Sequence, residues 1–310
     1  MPVMNMLRIA VEPISVAAML RRSTQVNSSR QNAAVRIKGT LVSLKRTAVV
    51  VASFAVLSWP TVSAADLHPI IETETGYFFG ASENGKWIKP DQAAKSVANE
   101  TIYQVYGLTK QLGQITAAKP VSAEEPCPDT LMVSLSSKPK DGVIGLAARW
   151  NALPRKPTIA DTTQSVYVDA VRDFLKARGI ADPKVRITRI LRIDLEGDGE
   201  DEVLINATNY FSQRDEAPIQ APKRGSYSII MLRRVAAGKV QTQLVAGELY
   251  SKADASNAPS IYKIAAVLDL NGDGKLEVIV HSFYYEGGET TIYRCEPDKI
   301  EPVLSVECGA

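Results

Sequence analysis

The sequence predicts a mainly β protein. More specifically, it predicts a β-rich α+β chain with two tandem four-stranded meanders, an N-terminal β-rich region and one helix. Three observations lead there. Two nine-residue acidic loops, 194–202 and 269–277, are near copies of each other. The segments flanking each loop have strand character in the same frame. The clearest 3.6-residue apolar period falls just after residue 161.

Residues 1–64 are expected to be a leader. Lys45 and Arg46 precede an apolar run from Thr47 to Trp59, and Val62-Ser63-Ala64 then forms a small-residue cleavage site. That is the order of a secretory signal peptide. The run is too short to span a bilayer comfortably. The 44 residues before the basic pair are basic and Ser-rich, so a mitochondrial presequence is a rival reading, and an upstream start codon is a simpler one. The chain is therefore expected to be exported, to the periplasm or the exterior.

The leader dominates the charge. Residues 1–64 hold eight Lys/Arg and one Glu, so of the chain's net +2 the remaining 246 residues carry −5. A mildly acidic chain has no electrostatic footprint for nucleic acid. It has no polybasic patch for a membrane surface either, and no span is expected after the leader. Three cysteines, Cys127, Cys295 and Cys308, allow one bridge and one thiol left over. A turn at residues 297–299 sets Cys295 opposite about Glu301, not Cys308. If a bridge forms, Cys127–Cys308 is slightly favoured over the other pairings; no bridge at all is the alternative.

Residues 65–160 form the N-terminal region. Gly76 to Phe79, then Asn84-Gly85, then Lys86 to Ile88 reads as a hairpin on a type I′ turn. Ile102 to Gly107, Leu131 to Leu135 and Val143 to Trp150 are further strand candidates. Residues 161–310 begin with the helix. Asp161 or Thr162 is its expected cap, Tyr167, Val171, Phe174 and Leu175 its apolar stripe, and Gly179 its stop, with Pro183 beyond.

Two repeats follow, 185–249 and 260–308. A shift of 75 residues superposes the loops and their flanks. Val185, Ile187, Leu191 and Ile193 share one parity before the first loop, and Tyr262, Ile264, Ala266 and Leu268 before the second. This predicts strands with one buried face. Val203-Leu204-Ile205 and Val278-Ile279-Val280 follow as runs suited to burial on both faces. Downstream the offset falls to 60, aligning Leu232 with Ile292, Arg234 with Arg294 and Leu244 with Leu304. The difference lies in a polar connection, 211–225. Each copy reads strand, loop, strand, strand, turn, strand. Self-similarity of this length suggests stacked β units.

The loops carry the chemistry. They are Asp194-Leu-Glu-Gly-Asp-Gly-Glu-Asp-Glu202 and Asp269-Leu-Asn-Gly-Asp-Gly-Lys-Leu-Glu277. Oxygen-bearing side chains stand at positions 1, 3, 5 and 9, with Gly199 and Gly274 at the sharp turn. A hard cation that takes six to eight oxygens suits such a set, and calcium is the expected ion at both loops. The backbone carbonyl of position 7, Glu200 or Lys275, is a further candidate ligand. An EF-hand needs an acidic residue at position 12, where Ile205 and Val280 stand here. The plain alternative is an acidic turn that closes a hairpin without metal.

The pattern D-x-[DN]-x-D-G-x-x-[DE] between two strands resembles the calcium loops of FG-GAP/VCBS repeats, as in integrin α-subunit β-propellers. The resemblance implies Asp194, Glu196, Asp198 and Glu202 as side-chain ligands of one calcium, and Asp269, Asn271, Asp273 and Glu277 of another. It also implies blade-like units. It covers about nine residues twice, extends weakly over 185–308 and leaves the N-terminal region untouched. Position 9 is Glu in both loops, where the family usually has Asp. Position 3 of the first loop is the longer Glu196. The second loop therefore follows the pattern more closely. A seven-bladed propeller does not fit in 246 residues at this repeat length.

Sequence offers no catalytic constellation. The two histidines, His68 and His281, have no zinc spacing and no G-x-S-x-G nearby. His281 reads as an ordinary strand-end residue. Tyr210, Phe211 and the run from Phe283 to Tyr285 are read as core packing, with stacking on a sugar or peptide as the alternative. The expectation is an exported, non-catalytic protein with two structural calcium ions and a protein or glycan ligand. The rival is a cell-envelope hydrolase whose carboxylate acid–base pair lies in the N-terminal half.

Overall fold

The computed structural model describes residues 66–210, 220–236 and 238–309. The predicted leader and its cleavage after Ala64 lie outside the described residues, as does most of the 211–225 connection. Every described residue belongs to one unit, Pro60–Ala310, so the sequence boundary at residue 160 does not separate two compact bodies.

Three antiparallel sheets make up the unit, and none is closed. The first has six strands: β1 (Leu67–Glu72), β2 (Phe78–Glu83), β3 (Lys86–Ile88), β4 (Thr101–Tyr106), β5 (Gln111–Ala117) and, after the small pair β6 (Val121–Ser122) and β7 (Leu131–Met132), β8 (Ile144–Leu146). Their order across the sheet is β3-β2-β1-β8-β4-β5. The predicted hairpin is there. Glu83 pairs with Lys86, and Asn84 and Gly85 take φ of 50° and 74°, as a type I′ turn requires. A four-residue helix, α1 (Pro90–Ala93), follows it and was not foreseen. Two predicted strands are shorter than expected: 131–135 keeps a two-residue strand and an isolated bridge at Leu135, and 143–150 a three-residue strand.

The second sheet holds the first repeat, β10 (Ile187–Ile193), β11 (Glu202–Thr208), β12 (Tyr227–Ala236) and β13 (Lys239–Leu249), with β9 (Thr158–Ile159) added at the edge beside β10. It is five-stranded rather than four-stranded. The third sheet is the second repeat alone, β14 (Ile261–Leu268), β15 (Glu277–Tyr284), β16 (Gly287–Cys295) and β17 (Ile300–Gly309), in simple meander order. The registers match between copies. Leu204 faces Leu232 as Ile279 faces Ile292, and Arg234 faces Gln241 as Arg294 faces Glu301. The last hairpin sets Cys295 against Ile300, one residue from the predicted Glu301, because its loop has two residues between Glu296 and Lys299.

The predicted single buried face of β10 and β14 does not hold. Register shifts between Ile187 and Arg189, and between Ile264 and Ala266, flip the side chains beyond them. Ile187 packs with Ile190 on one face of its sheet, Leu191 and Ile193 on the other. Ile264 packs toward the second sheet, Ala266 and Leu268 toward the first.

That switch reflects how the sheets stack. Ile70, Phe79, Ile144 and Leu146 of the first sheet share a core with Leu268, Ile279, Ile292 and Leu304 of the third. Val267, Val278 and Val280, on the third sheet's other face, share a core with Leu191, Leu204, Ile230 and Leu232 of the second. The sheet that comes last in the chain thus lies between the two that precede it. Its β15 is buried on both faces from Glu277 to Val280, as its unbroken apolar run predicts. The outer face of the first sheet is covered by Ala93 of α1 and by Val97.

The outer face of the second sheet is covered by α2 (Ser165–Lys176), through Val171, Phe174 and Leu175. The predicted cap of this helix is a correction. Gln164 takes the N-cap position with no side-chain bond, and Asp161 instead accepts from Thr163 N–H and hydroxyl. Gly179 at φ 90° ends the helix as read. Cys127 and Cys308 are bonded, Cα atoms 5.6 Å apart, tying the small pair's loop to the last strand.

Candidate metal centre

Each acidic loop joins the first two strands of its repeat, and the two share one hydrogen-bond plan. The carboxylate at position 1 accepts the N–H of positions 4 and 6: Asp194 from Gly197 at 2.6 Å and Gly199 at 3.0 Å, Asp269 from Gly272 at 2.7 Å and Gly274 at 3.1 Å. Position 5 accepts from position 7, Asp198 from Glu200 at 2.9 Å and Asp273 from Lys275 at 2.8 Å. Position 9 reaches back to position 2, Glu202 to Leu195 at 2.7 Å and Glu277 to Leu270 at 2.9 Å. The spacing read from sequence is the spacing that builds this turn. Glycine at position 4 is a further requirement that the sequence reading did not use. Gly272 has φ 78°, and the ring of Trp150 lies 3.3 Å from where a Cβ would stand.

The fold also brings the two loops together. Leu276 donates its N–H to the Leu195 carbonyl at 2.9 Å. A strap from Trp150 to Arg155 crosses both. Trp150 Nε1 donates to the Asp269 carbonyl at 2.9 Å, and Asp269 N–H to the Ala152 carbonyl at 2.8 Å. Arg155 donates from Nε to the Asp194 carbonyl at 2.6 Å and from Nη2 to the Gly274 carbonyl at 2.7 Å. No period or motif marks this strap in the sequence.

Charge separates the loops. In the first, Asp194 lies 3.8 Å from Arg155, and Glu196 pairs with Arg234, whose side chain is 3% exposed. Asp201 has Arg192 at 3.4 Å on the surface. Burial pushes Asp194 up, but the N–H groups of Gly199 and Gly197 and the Arg155 charge outweigh it, and its pKa falls. Glu196, expected as a ligand, is thus already paired with a guanidinium. The repeated arginine, Arg234 and Arg294, was the available signal. Glu200 is exposed, and Glu202 is buried with its pKa raised by desolvation.

In the second loop the cations are elsewhere. Lys275 points its ammonium at Glu296, 2.8 Å away, and Arg294 pairs with Glu301. Asp269 and Glu277 are 5% and 1% exposed, and their hydrogen bonds come from backbone N–H groups. Desolvation raises both pKa values, that of Glu277 well above the usual carboxylate range. Asn271 and Asp273 bond each other at 3.0 Å, and Asp273 stays exposed.

The donor set of the second loop is all oxygen, which fits calcium and not a soft metal. Two buried carboxylates with no direct ion pair among the described residues fit it as well. Among the described residues, however, no three His, Cys, Asp or Glu side chains converge as a cation cluster. The oxygens of Asp269 and Glu277 serve the turn itself.

No family model matches the chain, and neither does any curated protein or solved structure.

Proposed function

We propose that this chain is an exported, non-catalytic calcium-binding protein whose calcium is structural and sits in the 269–277 loop. Asp269, Asn271, Asp273 and Glu277 would hold the ion, with the Lys275 carbonyl. Bound there, calcium supplies positive charge to a loop that buries two carboxylates. The observation that carries this reading is the near-complete burial of Glu277 and Asp269, which accept backbone N–H groups and form no ion pair among the described residues. Unpaired buried charge is costly, and a divalent ion relieves it. The 194–202 loop has Arg155 and Arg234 in that role, so the proposal gives it the weaker calcium site. With both loops at the junction of two sheets, an ion there fixes how those sheets meet. A protein or glycan ligand on the resulting scaffold remains part of the proposal. No described helix is long and apolar enough to cross a membrane.

Thermal melting with calcium and with chelator tests the reading. Exterior modules bind calcium with dissociation constants of about 10⁻⁴ to 10⁻³ M. At ten times that concentration one site adds ~1.4 kcal/mol. The melting temperature should rise by several degrees, with about one equivalent of calcium retained more tightly than any second. An identical melt in both buffers would overturn the proposal.

A further inference from the structure

Read as sequence, His281 is a strand-end residue with no partner of interest. The fold joins it to a buried carboxylate from the other end of the chain. Glu72, the last residue of β1, is 8% exposed. Its oxygens accept the hydroxyls of Thr75 and Thr290, the latter at 2.5 Å. The Thr290 oxygen lies 2.9 Å from His281 Nδ1. Because the Thr290 proton goes to Glu72, its oxygen accepts here, and Nδ1 carries the hydrogen. The neutral ring then keeps its lone pair on Nε2. Phe283 stacks on the ring, with centroids 5.7 Å apart.

Two crevices, of about 260 and 220 Å³, share Glu72 and His281. The smaller lies where all three sheets meet, and its walls differ in charge. Glu72 and Glu74 come from the first sheet and the turn after it, Arg189 from β10, and Lys263 from β14. Lys263 is the cross-strand partner of His281, and its ammonium lies over the Phe283 ring, 4.9 Å from the centroid. Arg189 is fixed by a bond from Nη1 to the Ile264 carbonyl at 3.1 Å.

A lone anion in this crevice meets two carboxylates, and a lone cation meets Arg189 and Lys263. A molecule carrying both charges meets a partner for each. An ammonium offers three donors, and a carboxylate takes a guanidinium well. We propose that this crevice binds a small zwitterion of the α-amino-acid type. Its ammonium would lie on Glu72, Glu74 and His281 Nε2, and its carboxylate on Arg189. The volume is below the ~300 Å³ at which drug-sized pockets begin, which limits the ligand to something small. The inference does not depend on calcium.

The test is titration calorimetry on the exported chain in calcium-containing buffer, so that loss of the metal does not confound it. The probes are glycine, L-alanine and L-glutamate, with N-acetylglycine and glycine methyl ester, each lacking one charge. They are used to about 10 mM, above the ~1 mM dissociation constant of a weak small-ligand site. The expected result is saturable binding of at least one amino acid, with each blocked analogue weaker by about tenfold, as loss of a charged hydrogen-bond set implies. Arg189→Gln also removes a bond to Ile264. Glu74→Gln, at an exposed side chain, is therefore the decisive variant and should weaken binding about fivefold or more. The proposal is overturned if no amino acid binds saturably, if a blocked analogue binds as well as its parent, or if Glu74→Gln binds like the wild type.

Discussion

The N–H of Leu276 points at the carbonyl of Leu195, 2.9 Å away, so the second acidic loop is hydrogen-bonded to the first. Both side chains are buried in the core between the second and third sheets. What happens at one loop is therefore felt at the other, and the predictions below treat the two as one structural piece.

The loops should respond unequally to loss of position 5. Asp273→Ala and Asp198→Ala remove the same acceptor, for the N–H of Lys275 and Glu200 respectively. With chelator present each should cost about 1 kcal/mol, the loss of one exposed hydrogen bond. With calcium present Asp273→Ala should also lose the ion's contribution, and Asp198→Ala should keep most of it. Melting temperatures of both variants and the wild type in both buffers decide this. A larger loss for Asp198→Ala in both conditions would reverse the ranking.

Arg155 should matter as a partly buried link between the two loops. Its guanidinium bonds the carbonyls of Asp194 and Gly274, one from each loop. Arg155→Ala should lower unfolding free energy by about 2 kcal/mol, and Arg155→Lys should recover little, because an ammonium lacks the planar fork. Urea unfolding of the three proteins measures it. Full recovery by lysine would show that charge alone, not shape, holds the loops.

The Cys127–Cys308 bridge closes a separation of 181 residues. A loop of that length is worth about 5 kcal/mol in the chain-entropy account. The Cys127→Ser/Cys308→Ser double variant should therefore unfold at clearly lower urea than the oxidised wild type. Equal midpoints would mean that the bridge constrains nothing the fold does not already hold.

Cys295 should be inert while the protein is folded. It is 8% exposed, and burial pushes its thiol pKa up to about 12. Thiolate is the reactive form, so almost none is present at neutral pH. A thiol reagent should label it only as fast as the chain unfolds. Stoichiometric labelling within minutes in native buffer would contradict the burial.

Much of the architecture was legible because it is local. The Asn84-Gly85 turn and the Gly179 helix stop each depend on a few neighbouring residues, and each stands where the sequence puts it. The repeat was legible because both copies keep the same cross-strand registers, Leu204 with Leu232 and Ile279 with Ile292. The bulges near Thr188 and Ala265 were not. An extra residue in a strand leaves no mark on composition, and here it sends Ile264 and Ala266 to opposite cores.

By itself the sequence determined that this protein is mainly β, that its last two sheets are copies, and that each copy opens on an acidic, glycine-bearing turn. These follow from spacing along the chain, which a nine-residue loop or a hairpin reads directly. Only the tertiary structure decided that the third sheet lies between the other two, that Arg155 bonds both loops and that Arg234 pairs with the first. Asp269 and Glu277 were left without a direct ion pair among the described residues, and Glu72 came to stand beside Thr290 and His281. The partners in those contacts are between 38 and 218 residues apart in sequence. Which charges meet across such distances is set by how sheets stack, and stacking depends on the summed burial of whole faces rather than on any one residue.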